Sequence, residues 1–140
     1  MSSAERFLLD TNVLSETGRK RPEPLVLDFL RPLHSSALYL SVLTLGEIRK
    51  GAFNVKDTDP IKSLRTFEWS EEVEASFAGR IFDVDLAVAR LRGEFAAGRT
   101  RPVVDTLLAA TAIVHGLTLV TRNVRDVDDL PVKLLNPWLS

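Results

Sequence analysis

The chain has 140 residues, 45% of them hydrophobic and 26% charged, with a formal net charge of −1 and no cysteine. That length fits one domain, residues 1–140, which buries roughly 68–70% of the surface its unfolded form exposes and so needs no disulfide or structural metal to fold. The missing cysteines exclude a disulfide scaffold, a thiolate zinc site and a cysteine nucleophile, and the near-zero charge carries no global nucleic-acid signal.

Met1 to Leu9 has neither a long apolar region nor a cleavage site, so no signal peptide is expected. Arg6 to Leu9 reads as a short buried strand, and Asp10-Thr11-Asn12 behind it as a helix start. The first helix runs over Asn12 to Glu16 and stops at Gly18; a second covers Glu23 to Pro32. Leu38 to Val42 has strand character, and Thr44 to Phe53 returns to helical spacing. After a polar turn, a long helix is predicted from Ile61 to Ala78, broken or kinked near Trp69-Ser70 and ended by Gly79. Arg80 to Val84 is the next strand. Asp85 then caps a helix from Leu86 to about Ala97, closed by Gly98.

Val104-Asp105 opens a helix to His115 that is apolar almost all round and therefore buried, with Gly116 as its terminator. Leu117 to Thr121 is a buried strand, Asn123 to Leu130 a polar turn or short helix, and Val132 to Leu135 a last strand. The stretch Leu107 to Val120 is too short and too interrupted to span a bilayer, so a soluble, cytoplasmic protein is expected. Strands alternating with helices predict an α/β fold, a central parallel sheet covered on both faces and joined by right-handed crossovers.

Ligands of such folds bind beyond the carboxyl ends of the strands. Asp10 directly follows the first strand, Glu47 the second by about a turn, Asn123 and Asp126 the strand ending at Thr121, and Asp105 starts a helix. Each acid has a plain alternative: Asp10 and Asp105 as helix caps, Glu47 paired with Lys50 at i+3, Asp126 as a solvated loop residue. Gathered together they are another matter. Two unit charges about 4 Å apart repel by roughly 4 kcal/mol at an effective dielectric of 20. A hard divalent cation with oxygen ligands relieves that repulsion. Zinc is disfavoured, because His34 and His115 lack metal-ligand spacing. There is no phosphate-binding Gly-x-x-x-x-Gly-Lys loop, no Gly-x-Gly-x-x-Gly and no Gly-x-Ser-x-Gly elbow. Four arginines, Arg92, Arg99, Arg101 and Arg122, are candidate phosphate contacts, or else ordinary solvated charges.

Four segments in order carry a resemblance over nearly the whole chain: Phe7-Leu-Leu-Asp-Thr-Asn-Val-Leu-Ser15, Leu43-Thr-Leu-Gly-Glu-Ile-Arg-Lys-Gly51, Val104-Asp-Thr-Leu-Leu-Ala-Ala-Thr-Ala112 and Leu119-Val-Thr-Arg-Asn-Val-Arg-Asp126, with Asn136-Pro-Trp138 as a closing signature. They resemble PIN-domain ribonucleases, in particular VapC-type toxins of the FitB-like branch. The resemblance implies a three-layer α/β/α sandwich and an acidic site for Mg²⁺, with Mn²⁺ as a substitute. It implies hydrolysis of RNA phosphodiesters, a cognate antitoxin, a homodimer, and operator DNA reached only through the antitoxin. Carried over by position, Asp10, Glu47 and Asp105 are the firm acids. Asp126 is favoured as the fourth, with Asn123 a neutral neighbour where some relatives hold an acid. Asp10 and Asp105 would bind metal directly, Glu47 and Asp126 directly or through water, with Thr11, Asn12 and Thr121 in support. Two alternatives stand beside the ribonuclease: a weakly catalytic or non-catalytic partner of a DNA-binding antitoxin, acting in operon autoregulation, and a homodimer with no chemistry. An apolar groove along the first two helices would seat the antitoxin.

Overall fold

Each residue of Phe7–Leu9 (β1) is buried, and the three point alternately to opposite faces of the sheet. The computed structural model describes residues 4–139 of the chain. In chain order β1 is followed by α1 (Thr11–Thr17), α2 (Pro24–Leu30), β2 (Leu38–Ser41), α3 (Val42–Asn54), α4 (Pro60–Ser76), β3 (Ile81–Phe82), α5 (Leu86–Ala96), α6 (Val103–His115), β4 (Thr118–Val120) and β5 (Leu134–Leu135). The five strands form one sheet in the order β3-β2-β1-β4-β5, and every pairing is parallel. None of the helices among the described residues is long and apolar enough to cross a membrane.

Period-two alternation divides the core into two layers. Phe7, Leu9, Leu40 and Val120 face α1, α2, α3 and α4, where Val13, Val26, Ile48 and Val73 meet them. Leu8 and Leu119 face the other way, onto Leu108, Ala109 and Ala112 of α6. The three-layer sandwich is therefore written into single strands. Helix α6 lies against the sheet through small side chains, Ala109, Ala110 and Ala112 all being fully buried. Its buried hydroxyls are satisfied locally: Thr106 Oγ1 donates to Pro102 O at 2.6 Å, and Thr111 Oγ1 to Leu107 O at 2.8 Å. The helix is not buried all round as expected, since Val103 and Val114 reach solvent. It ends where Gly116 turns left-handed at φ +69°. There Leu117 N–H bonds to Ala112 O at 2.8 Å, so β4 begins two residues later.

Three expectations need correction. Helix α4 runs unbroken through Trp69-Ser70. Ser70 is buried and its Oγ donates to Phe67 O at 2.6 Å within the same turn, while Trp69 packs on the core, so nothing there frees the backbone. Strands β3 and β5 are only two residues long: Asp83 and Val84 turn out to solvent, and ahead of Leu134 the Lys133 carbonyl accepts from Leu119 N–H at 2.9 Å without extending the strand. Helix α6 starts at Val103 with Pro102 as a cap that offers no side-chain bond, so Asp105 is an interior residue of the first turn and not a cap.

Leu8 is fully buried between β1 and α6. Leu8→Ala is expected to cost about 2–5 kcal/mol of stability, read from urea unfolding midpoints at unchanged m-value.

Candidate functional site

The strand order reverses between β1 and β4: β2 and β3 lie on one side of β1, β4 and β5 on the other. Helices leave the two halves in opposite directions at such a point and open a crevice at the carboxyl ends of the strands. Leu9 is in register with Val120, which sets Asp10 and Thr121 side by side on the floor of that crevice. Asp10 N–H bonds to Val120 O at 2.9 Å, continuing the ladder one residue beyond the strands.

The Asp10 carboxylate is tied at both oxygens. Oδ1 accepts from Thr11 N–H at 2.7 Å, so Asp10 does cap α1. Oδ2 accepts from Thr121 Oγ1 at 2.7 Å and from Asn12 Nδ2 at 3.2 Å. Thr121 Oγ1 accepts in turn from Asn123 N–H at 3.0 Å, and Asn12 Oδ1 from Arg122 N–H at 3.3 Å. The loop after β4 is thus fastened to the end of β1 by the side chains expected to support the site. Capping and presentation to the crevice are compatible for Asp10, because each carboxylate oxygen has more than one acceptor direction.

A cleft of about 330 Å³ opens above Asp10, lined by Asp10, Thr11, Asn12, Glu47, Val104, Asp105 and Asn123. Glu47 reaches it from α3, two turns past Ser41, whose Oγ caps that helix by accepting from Leu43 N–H at 3.1 Å. No ion pair with Lys50 diverts Glu47 among the described residues. Asp105 reaches it from the first turn of α6, its carboxyl left free by the Pro102 start. Asp126 does not line the cleft, but its carboxyl lies within hydrogen-bonding reach of Asp105. Asn123 and Asp126 therefore occupy different places: the first on the cleft wall, the second behind Asp105.

Gathering the acids has an electrostatic cost. Burial raises the Asp10 carboxyl above the ordinary carboxylate range, against the lowering effect of its bonds from Thr121, Thr11 and Asn12, and the Glu47 charge pushes it further up. Asp105 is raised to about 6, first by burial, then by its bond with Asp126, then by the charges of Asp10, Asp126 and Glu47. Among the described residues no three His, Cys, Asp or Glu side chains converge tightly enough to chelate one ion in this arrangement. The chemistry of the donors nevertheless fits a hard divalent cation. All are oxygen, two carboxyls are destabilised as anions, and the Thr11 hydroxyl is buried without a hydrogen-bond partner.

The four arginines separate. Arg101 is nearly buried, its side chain 6% exposed, and forks onto both oxygens of Asp129 at 3.0 and 2.6 Å while Nε donates to Phe95 O at 2.7 Å. Arg99 donates to the same Asp129 at 2.7 Å. These two pair with Asp129 and so link the loop before α6 to the loop after β4. Arg92 lies on α5 with its Nε buried and unpartnered, outside the cleft. Arg122 alone stands beside the acids, its guanidinium 4.9 Å over the Trp138 ring. The sequence reading assigned no role to Glu16, which is buried at the end of α1 and accepts from Glu23 N–H at 2.8 Å. Its one signal was an acid among apolar positions of a short helix.

The family model described as PIN domain matches residues 7–131. Toxin FitB of Neisseria gonorrhoeae is 32% identical, the match covering 94% of this chain and 98% of that protein. VapC ribonuclease Y4jK of Sinorhizobium fredii is 31% identical over 94% of this chain and 97% of its own. The crystal structure of FitAcB from Neisseria gonorrhoeae superposes with a TM-score of 0.84 at 33% identity, covering 96% of this chain and 99% of that one.

A carboxyl raised in the folded state destabilises the fold above that pKa, and the penalty disappears as pH falls through about 6 toward the unfolded value near 4. In EDTA, Asp105→Asn is expected to be more stable than the parent chain at pH 7.5, by about 1 kcal/mol after discounting for partial exposure, and the gap is expected to fall to about half by pH 5 and to close near pH 4. Thermal melts across that range check it.

Proposed function

The chain belongs to the PIN domain family, and from that premise we propose that it is the toxin of a toxin–antitoxin pair, a Mg²⁺- or Mn²⁺-dependent endoribonuclease that hydrolyses RNA phosphodiesters. The observation that carries the reading is the cleft at the β1–β4 reversal, where Asp10, Glu47 and Asp105 come together although their like charges repel. In this reading Asp10 and Asp105 hold the cation directly, and Glu47 and Asp126 do so directly or through water. When bound, the cation acidifies a water and neutralises charge growing on the attacked phosphate. The protein's own contribution is positional. Thr121, Thr11 and Asn12 hold the Asp10 carboxylate in one orientation, and Asn123 offers an uncharged polar group on the wall where another acid would add repulsion. Attack in line would leave a 5′-phosphate and a 3′-hydroxyl.

A cognate antitoxin is part of the same proposal. Its seat was expected along the first two helices and to be apolar. A cleft of about 600 Å³ opens beside the first of them, between the end of α1 (Ser15, Gly18, Arg19) and α4 (Lys62, Arg65, Thr66, Trp69), with three cations on its walls. That supports an antitoxin segment of acidic and aromatic character. The rival reading, a weakly catalytic or non-catalytic partner of a DNA-binding antitoxin acting in operon autoregulation, draws its support from the acids not closing into a tight chelating group.

The two readings part on cleavage. Purified chain, free of antitoxin, is expected to cut total cellular RNA in Mg²⁺ and not in EDTA, leaving mapped 5′-phosphate ends. Asp10→Asn is expected to keep the fold, since Asn also caps helices. It should lower cleavage by more than about a hundredfold, because even outer-sphere losses around a metal cost about 10–100-fold. Undiminished cleavage by that variant would refute the assignment.

A further inference from the structure

Next to the acid cleft, linked to it through Asn12 and Arg122, lies a second groove that the catalytic reading does not use. It measures about 450 Å³ and is lined by Arg19, Arg21, Glu23, Arg122 and Trp138 among others, with Glu16 at its base. The two sites touch through one side chain. Asn12 bonds to the Asp10 carboxylate through Nδ2 and to Arg122 N–H through Oδ1. A strand lying over Asp10 that continues past Asn12 therefore meets Arg122 next.

The charges of this groove are not equivalent. Glu16 is turned inward, its side chain 7% exposed, bonded to Glu23 N–H and to Arg19 at 3.3 Å. Glu23 caps α2, accepting from Leu25 N–H at 3.4 Å. Both carboxylates are thus engaged with the protein. Arg21 and Arg122 are exposed and form no ion pair among the described residues. Arg122 is also oriented: Trp138 packs on the core and holds the guanidinium over its ring, 4.9 Å from the centroid. A planar, unpaired guanidinium already held in place is suited to bidentate phosphate binding, with little further ordering to be done on contact.

We infer that this groove, lined by Arg21 and by Arg122 seated on Trp138, binds the sugar–phosphate backbone of single-stranded RNA immediately beside the acid cleft. The inference rests on the ribonuclease reading for its choice of polyanion. The charge balance requires such a feature. The chain as a whole is −1 and three carboxylates line the proposed cutting point, so the overall field does not attract a polyanion and the cleft does so only through its cation. The attraction along the strand has to be local, and of the four candidate arginines the two around Asp129 are already engaged with that carboxylate. Arg122 and Arg21 are positioning residues here: they hold the strand, and the acids act on it. Contacts to phosphate fix register without reading sequence.

The test uses a fluorescein-labelled 12-mer of uridylate and the Asp10→Asn background, so that binding is measured without cleavage. Anisotropy titrations at several salt concentrations give affinity and salt slope. Arg122→Ala and Arg21→Ala are each expected to weaken binding about three- to tenfold and to flatten the log–log salt slope by about 0.7, the value for one lost phosphate contact on a single strand. Arg31→Ala, which removes the same charge at the far end of α2, is expected to leave both unchanged. Trp138→Phe keeps an aromatic seat and is expected to lose less than Arg122→Ala. In the cleavage-competent chain the two arginine variants should raise KM and leave kcat within about twofold. Unchanged affinity and slope in both variants would overturn the inference. So would loss of binding to a (Glu)10 peptide with RNA binding intact, which would assign the groove to an acidic protein segment. Cleavage of total cellular RNA by the parent chain, run in parallel, separates the two readings. Arginine-dependent binding without cleavage sustains the groove and sinks the ribonuclease, and cleavage with arginine-independent binding does the reverse.

Discussion

The hydrogen bond from Thr121 to Asp10 joins the ends of the two strands between which the sheet reverses, and the organisation of the site depends on it. It places a carboxylate at the carboxyl edge of the sheet where the strand order reverses. The same threonine receives the Asn123 backbone N–H, so the loop carrying Asn123 and Asp126 is fixed by the atom that fixes Asp10. Glu47 and Asp105 come to this point on helices, one from each layer of the sandwich. A parallel sheet with a reversal delivers side chains from both layers to one place, and the residues at those positions here are acids.

Stability and site geometry pull against each other at α6. Its alanines draw it onto β1 and β4, and its missing side-chain cap leaves Asp105 free. The N-terminus of the helix is secured from outside instead, by Arg99 and Arg101 gripping Asp129, whose carboxyl is held down at about 2 by Arg101. Asp129 and Asp105 thus sit at opposite extremes of carboxylate behaviour within one loop–helix junction. The first is an anion neutralised by guanidinium groups that order the junction; the second is an anion without a cationic partner, facing the cleft.

Much of this arrangement was legible before any coordinates. Strand and helix alternation fixed the parallel three-layer architecture, since short apolar runs such as Phe7–Leu9 bury both faces and need helices on each. The placement of Asp10, Glu47 and Asp105 at the carboxyl edge followed from the same alternation. What could not be read was local bonding between distant segments. Whether Asp105 capped α6 depended on where that helix began, and a shift of two residues changed it from cap to free carboxyl. The fate of Arg99 and Arg101 depended on Asp129, 28 residues beyond Arg101. Trp138 was noticed as a closing signature, but its role under Arg122 depends on a contact across the fold. Position 126 remained ambiguous for a related reason: a 3-10 turn, Val124–Asp126, decides whether that side chain faces the cleft or Asp105.

The central claim is that these carboxyls are held together in a state that a divalent cation relieves, and binding should therefore displace a proton. Calorimetric titration of Mn²⁺ into partner-free protein near pH 6, in buffers of different ionisation enthalpy, measures this directly. The account predicts saturable binding with release of a fraction of a proton per ion, and loss of that release in Asp105→Asn. Absence of saturable heat, or binding that Asp105→Asn leaves unaltered in both affinity and proton release, would contradict it.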